Sequence, residues 1–150
     1  MRAISLWQPW ASAIALGHKR IETRGRSTSV RGPILIHAAR KFGPEQRNFA
    51  MTEVAVGRMP RALPLGALVA VARLQDVKPT CELKTQVSAI ERLYGDYAAG
   101  RFGWLLTDIV PLPEPIPFAG SQGWFNVPDE LVAHVLPGAA DVPDTQGRLL

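Results

Sequence analysis

The apolar positions of this chain fall into short, separate runs, and most runs end at a glycine or a proline. Residues 9–16 read as a short helix. Proline is favoured at the first helical position, where its missing N–H costs nothing, and Gly17 supplies the left-handed residue that ends the run. Trp10, Ala13 and Ile14 share one face of that helix and are expected to be scaffold. Residues 20–24 can then run extended. Residues 32–39, Gly-Pro-Ile-Leu-Ile-His-Ala-Ala, form a β-type apolar run. Within it His37 has the opposite parity to Ile34 and Ile36.

Further along, Gly43-Pro44 opens a predicted helix to about residue 55, and residues 58–64 form a proline-punctuated basic loop. Residues 66–77 are a strong strand candidate, residues 84–97 are predicted helical, and residues 103–112 are a second long strand. The prolines at 113–117 are read as a turn. A small-residue loop over 118–123 leads into a short strand at 124–127, and residues 129–135 read as a terminal helix. After Pro137 the composition turns rich in Gly, Pro and Asp, so 137–150 is expected to fray. Helices interrupt the strands without alternating strictly with them. That order predicts an α+β domain over residues 1–136, built around a small closed or partly closed sheet.

Composition changes this picture little, and charge changes it more. The chain has 150 residues, 47% apolar and 20% charged, which is ordinary globular usage for one domain. No apolar run approaches the ~20 residues needed to span a bilayer, so no membrane role is expected. The start, Met1-Arg-Ala-Ile-Ser-Leu-Trp, lacks the apolar core and cleavage site of a signal peptide. Cys81 is the single cysteine, so there is no intrachain disulfide and no Cys-x-x-Cys metal site. The expected compartment is cytoplasmic. His18, His37 and His134 are far apart in sequence, so no metal site is expected. No glycine-rich phosphate loop follows a strand, and no cofactor is expected.

Net charge is +4, unevenly spread. Residues 1–48 hold nine Lys/Arg against Glu22 and Glu45, whereas residues 49–150 carry a net −3. Most of these cations are arginines, whose planar forks suit phosphates and stack on bases. A one-sided basic field suits a polyanion.

The densest chemistry lies near the start. Ser5-Leu-Trp-Gln-Pro-Trp-Ala-Ser12 is followed by Gly17-x-Lys19-x-x-Glu22-x-Arg24. This combination resembles the ASCH (activating signal cointegrator homology) domain, and the likeness continues in order through about residues 3–130. Gly32-Pro-Ile-Leu-Ile-His and Gly66-Ala-Leu-Val-Ala-Val resemble the family's next strands. Gly103-Trp-Leu-Leu, Pro115-Ile-Pro and Gly120-Ser-Gln-Gly-Trp resemble its C-terminal half. The resemblance implies a PUA-like mixed β-barrel with helices packed around it and a cleft on one side. Members of the family include RNA- and DNA-binding modules, ribonucleases, and small amidohydrolases that deacetylate N4-acetylcytidine. Where the amidohydrolase branch has a threonine three residues after the lysine, this chain has Glu22, with Thr23 next.

Several residues could carry the chemistry. Lys19 either neutralises a helix end, worth ~0.3–1 kcal/mol, or contacts phosphate, or acts as a desolvated amine in acid–base work. Glu22 and Arg24 share a face if extended, either as a structural ion pair or with Glu22 orienting Lys19 or accepting from a base edge. Trp7 can stack a base, and Gln8 either reads a base edge or caps the helix. His37 is a structural strand histidine or a ligand contact. Ser121 and Gln122 sit in a glycine-flanked loop that allows close approach, with Ser121 a phosphate contact or a weak nucleophile. Tyr97, like Tyr94, offers packing, stacking or a phenol proton. The leading expectation is an RNA- or nucleotide-binding protein with a basic cleft, its partner RNA or a nucleotide or nucleoside, with DNA within reach. A hydrolase using the same cleft, either a ribonuclease or an amidohydrolase acting on an N4-acylated cytidine, with Lys19, Glu22 and Ser121 as its catalytic groups, is the second expectation. A transcription-related interaction module is the third.

Overall fold

The structure is a computed structural model of the chain and describes residues 1–52, 57–60 and 62–136. The expectations of a frayed tail over 137–150 and of helix over 53–55 lie outside those residues. The architecture is a single six-stranded mixed sheet with short helices on its faces. In chain order the elements are β1 (Arg2–Leu6), α1 (Trp10–Ala15), β2 (Ile21–Arg24), β3 (Gly32–Ala38) and α2 (Pro44–Ala50). Then follow β4 (Ala67–Pro79), α3 (Thr80–Leu83), α4 (Ala89–Leu93), β5 (Phe102–Pro117), β6 (Phe125–Asn126) and α5 (Asp129–Val132), with a 3-10 turn at Ala133–Val135.

The sheet order is β2-β5-β4-β3-β1-β6, with β1 and β3 parallel and the other pairs antiparallel. The α+β class is as expected, but the closed barrel is not. Each edge strand is too short to close the ladder: β2 has four residues, β6 has two, and among the described residues each pairs with one neighbour.

Both faces of the central strands are covered, which explains why residues 34–36 read as an unbroken apolar run and why all of 34–38 are buried. Ile4, Ile34, Ile36 and Leu106 pack with Ala11 and Ile14 of α1 on one face. Leu35, Leu68, Val71 and Leu112 pack with Val127 and Val132 on the other. Strand β1, missed in the pattern, is held between β3 and β6 and buries Ala3, Ile4 and Leu6. Helix α1 begins one residue later than expected, with Pro9 in the capping position after a cis Gln8–Pro9 peptide. Gly17 ends it at φ 82°, as the left-handed stop requires.

Two expectations fail for clear reasons. Residues 84–97 are not one helix. The Ser88 hydroxyl accepts from the Glu91 amide at 3.0 Å, so α4 starts only after Ser88 and ends before Gly95. Nor do residues 113–117 turn. Strand β5 continues through them, with Ile116 opposite Leu68 and Pro117 opposite Ala67. Prolines are tolerated there because β2 covers β5 only up to Leu105, and among the described residues the rest of that edge has no strand neighbour.

Candidate functional site: an arginine- and tryptophan-lined cleft

The turn from β1 into α1 is built on Gln8. Its side chain is fully buried, and its Nε2 donates to Ser12 Oγ at 2.7 Å and to the Pro64 carbonyl at 2.9 Å. Its Oε1 accepts from the Ser12 amide at 2.9 Å. Every polar group of the amide is therefore used inside the protein: Gln8 ties down the first turn of α1, and its side chain is not part of the cleft lining. Trp7 and Trp10, one and two residues away, line the cleft instead. Trp7 is 46% exposed, with Lys41 Nζ 5.5 Å from its ring centroid, and Trp10 stacks on Phe49 at 4.9 Å. Phe49 in turn meets Tyr94 edge-on at 5.6 Å.

These rings form one wall of an open cleft of about 1470 Å³. Strand β2 supplies Glu22 and Arg24, and β1 and β3 supply Ser5 and His37. The loop at 118–123 closes the far side and carries Ser121 and Gln122, both exposed. Arg26, Arg40 and Arg101 also line it. The Trp104 indole N–H donates to the Arg26 carbonyl at 2.9 Å, which fixes the chain after β2. Gly66, at φ 62°, lies against the Arg40 guanidinium: a Cβ there would stand 3.4 Å from Nε. Glycine thus serves both the left-handed turn and the seating of the arginine.

Glu22 and Arg24 do share a face of β2, and Arg24 Nη1 donates to Glu22 Oε2 at 3.2 Å. The Arg24 guanidinium also lies 5.2 Å from the ring centroid of Trp104, which stacks on Trp124. Arg101 pairs with Asp96 at 3.5 Å and donates to the Thr23 carbonyl at 3.1 Å. Among the described residues, Arg26 and Arg40 enter no carboxylate pair.

Lys19 lies beneath this cleft. It is 1% exposed, and its Nζ donates to the carbonyls of Ile21 at 2.6 Å and Tyr94 at 2.9 Å. Glu22 Oε1 stands 3.7 Å away. Burial pushes its pKa below 10.5, opposed by the charges of Glu22 and Glu91. The amine therefore ties β2 to the chain after α4; it neither neutralises the end of α1 nor reaches the cleft lining. His37 Nδ1 is 2.9 Å from Ser5 Oγ and its Nε2 is 2.7 Å from the Phe118 carbonyl. Burial lowers its pKa, partly opposed by the bond to Phe118.

Tyr97 also lies outside the lining. Its hydroxyl is buried without a hydrogen-bond partner among the described residues. Burial, with the negative charge of Glu91, pushes its pKa up to about 12. Tyr97→Phe is expected to stabilise the fold by ~1–2 kcal/mol at pH 7, because it deletes a desolvated donor that gains nothing. The phenol also sets a sign at alkaline pH. Between its ordinary 10.0 and about 12 the folded chain keeps a proton that the unfolded chain has released, so stability falls as pH rises through that window. Urea unfolding at pH 7 and pH 11 should show this loss in the wild type, reduced in the phenylalanine variant.

Of the expected site residues, Trp7, Glu22, Arg24, His37, Ser121 and Gln122 meet at the cleft, whereas Gln8, Lys19 and Tyr97 support it from below. Trp10, expected to be scaffold, is half-buried and stacked on Phe49 and also lines the cleft. Ser5, Arg26, Arg40, Phe49 and Arg101 also line it and were not singled out. The basic excess of residues 1–48 was the one sequence signal pointing to Arg26 and Arg40.

Fold and cleft together define an α+β domain with an open mixed sheet and a single-sided cleft carrying arginines and indoles. The chain belongs to the ASCH domain family, whose sequence profile matches residues 4–115. The fold is similar to the crystal structure of ASCH from Zymomonas mobilis, with TM-score 0.55 and 21% identity over 87% of this chain and 90% of that one. A tyrosine-to-phenylalanine mutant of the Zymomonas mobilis protein matches with TM-score 0.55 and 22% identity, over 87% of this chain and 92% of that one. A serine-to-alanine mutant gives 0.54 and 23%, over 87% and 90%. Among curated proteins, none matches this chain.

Proposed function

We propose that this protein binds single-stranded RNA, or a nucleotide segment of it, in the cleft between β2 and the 118–123 loop. One observation carries the reading: Arg26 and Arg40, free of carboxylate partners among the described residues, line the same cleft as the half-exposed indole of Trp7. Phosphates supply the affinity for such cations, and an aromatic face stacks any base, so the combination fits a single strand better than a duplex. Glu22 already neutralises Arg24 and contacts Lys19, so it holds the cationic side in place and spares the cleft a bare carboxylate.

Binding of a short RNA, followed by tryptophan fluorescence across a salt series, tests this reading. The affinity is expected to fall as salt rises, and Arg40→Ala or Arg26→Ala should flatten the log–log slope by roughly 0.7 each. Trp7→Ala should cost ~1–3 kcal/mol of binding with the slope unchanged. Binding that ignores both salt and these arginines would rule the reading out, and an equal response to single-stranded DNA of the same sequence would remove the preference for RNA.

A further inference from the structure

The parallel register of β1 and β3 sets Ser5 directly beside His37. The proton positions follow from elementary chemistry. The Phe118 carbonyl can only accept, so the Nε2 that meets it at 2.7 Å must carry the hydrogen. In the neutral ring Nδ1 then holds a lone pair, and the Ser5 hydroxyl, 2.9 Å away, is the donor to it. The ring has no freedom to turn away. Gly120 is pressed on it so closely that a Cβ there would stand 2.5 Å from Cε1, and Phe125 meets it edge-on at 5.5 Å. Ser5 is half-buried and lines the cleft.

A hydroxyl, a base that takes its proton, and a third group orienting the base are the parts of an activated nucleophile. We propose that Ser5 and His37 are a nucleophile–base pair for acyl transfer, acting on a carboxylic ester held in the cleft. In the first step Ser5 Oγ forms a bond to the ester carbonyl carbon as its proton passes to His37 Nδ1. The C–O bond to the alcohol breaks, and Nδ1 returns the proton to the departing alcohol. In the second step water attacks the acyl-serine, loses a proton to Nδ1, and Ser5 Oγ leaves and recovers it, releasing the carboxylic acid. The Phe118 carbonyl stabilises the transient imidazolium through Nε2–H. Burial keeps the resting imidazole in its neutral, proton-accepting form by lowering its pKa.

The reading goes beyond RNA binding and does not depend on it. The whole chain, treated with a fluorophosphonate probe and digested, is expected to carry the adduct on Ser5 by peptide mass spectrometry. The same protein should hydrolyse p-nitrophenyl acetate. Ser5→Ala should abolish the adduct and the hydrolysis while keeping the wild-type circular dichroism spectrum, since it removes one hydroxyl from the edge of the core. His37→Gln should slow both reactions by about 10²–10⁴-fold. Ser5→Cys, which keeps a nucleophile beside the ring, should be alkylated by iodoacetamide faster than the same variant carrying His37→Gln. An unlabelled Ser5, an adduct on Ser121 instead, or ester hydrolysis surviving in Ser5→Ala would overturn the proposal. None of these results touches the salt dependence of RNA binding, so the two readings stand or fall separately.

Discussion

Lys19→Ala is expected to destabilise the fold by ~3–5 kcal/mol, the cost of removing one member of a buried ion pair. The substitution strands three groups at once. The carbonyls of Ile21 and Tyr94 lose their donor, and Glu22 loses one of the two cations that hold it. Denaturant unfolding gives the direct measure, with the midpoint dropping and the slope unchanged. Lys19→Met separates packing from charge: it refills the volume but restores no donor, so it should recover part of the loss. The pH dependence has a definite sign. Burial lowers the folded-state pKa of Lys19 below 10.5, so in the interval up to 10.5 the unfolded chain binds the extra proton. The Lys19 contribution to stability therefore rises with pH across that interval, opposite in direction to Tyr97 above pH 10, and the methionine variant lacks the rise. A small change in stability on Lys19→Ala, with RNA binding lost outright, would instead make Lys19 a ligand contact.

Gln8→Ala is expected to cost about 3 kcal/mol, roughly one for each of the three hydrogen bonds removed from a fully buried amide. For a chain of this size that is on the order of 6–12 °C in the thermal midpoint. The bond to Pro64 joins the start of α1 to the segment that precedes β4, and Trp7 and Trp10 project from either side of that joint. RNA affinity of the protein that remains folded should fall too, because the indoles lose their common anchor. A variant as stable as the wild type would mean that the joint holds itself without the amide.

These two residues show where a sequence stops being readable. Both lie in the segment that carries the family resemblance, and in the sequence each reads as a ligand contact and as a local support, because their side chains are chemically capable of either. Chemical capability is not direction. Gln8 turns inward because a peptide carbonyl 56 residues away needs its amide, and Lys19 turns inward because a carbonyl 75 residues away needs its amine. Spacing can offer Ser12, four residues on, and Ile21 and Glu22, two and three residues on, but not these distant carbonyls that complete each set. What periodicity and stop signals did reveal were elements with local causes: the glycine that ends α1, the apolar strand β3, and the shared face of Glu22 and Arg24 on β2. Strand β1 went unseen because its five residues are too few to stand out from the helix that follows. Closure was expected from element order and from resemblance alike, and the sheet stays open, with edge strands of only four and two residues.

The proline-rich end of β5 bears on how this protein behaves in a crowded solution. A strand of 16 residues that, among the described residues, is paired along one edge by only four residues of β2 has the form of a template for pairing with other chains. Pro111, Pro113, Pro115 and Pro117 remove four amide donors from that stretch, and Glu114 adds a charge that an incoming strand would have to desolvate. Residues expected to form a turn thus act as a guard on the longest strand, leaving an incoming chain few donors to pair with along that edge.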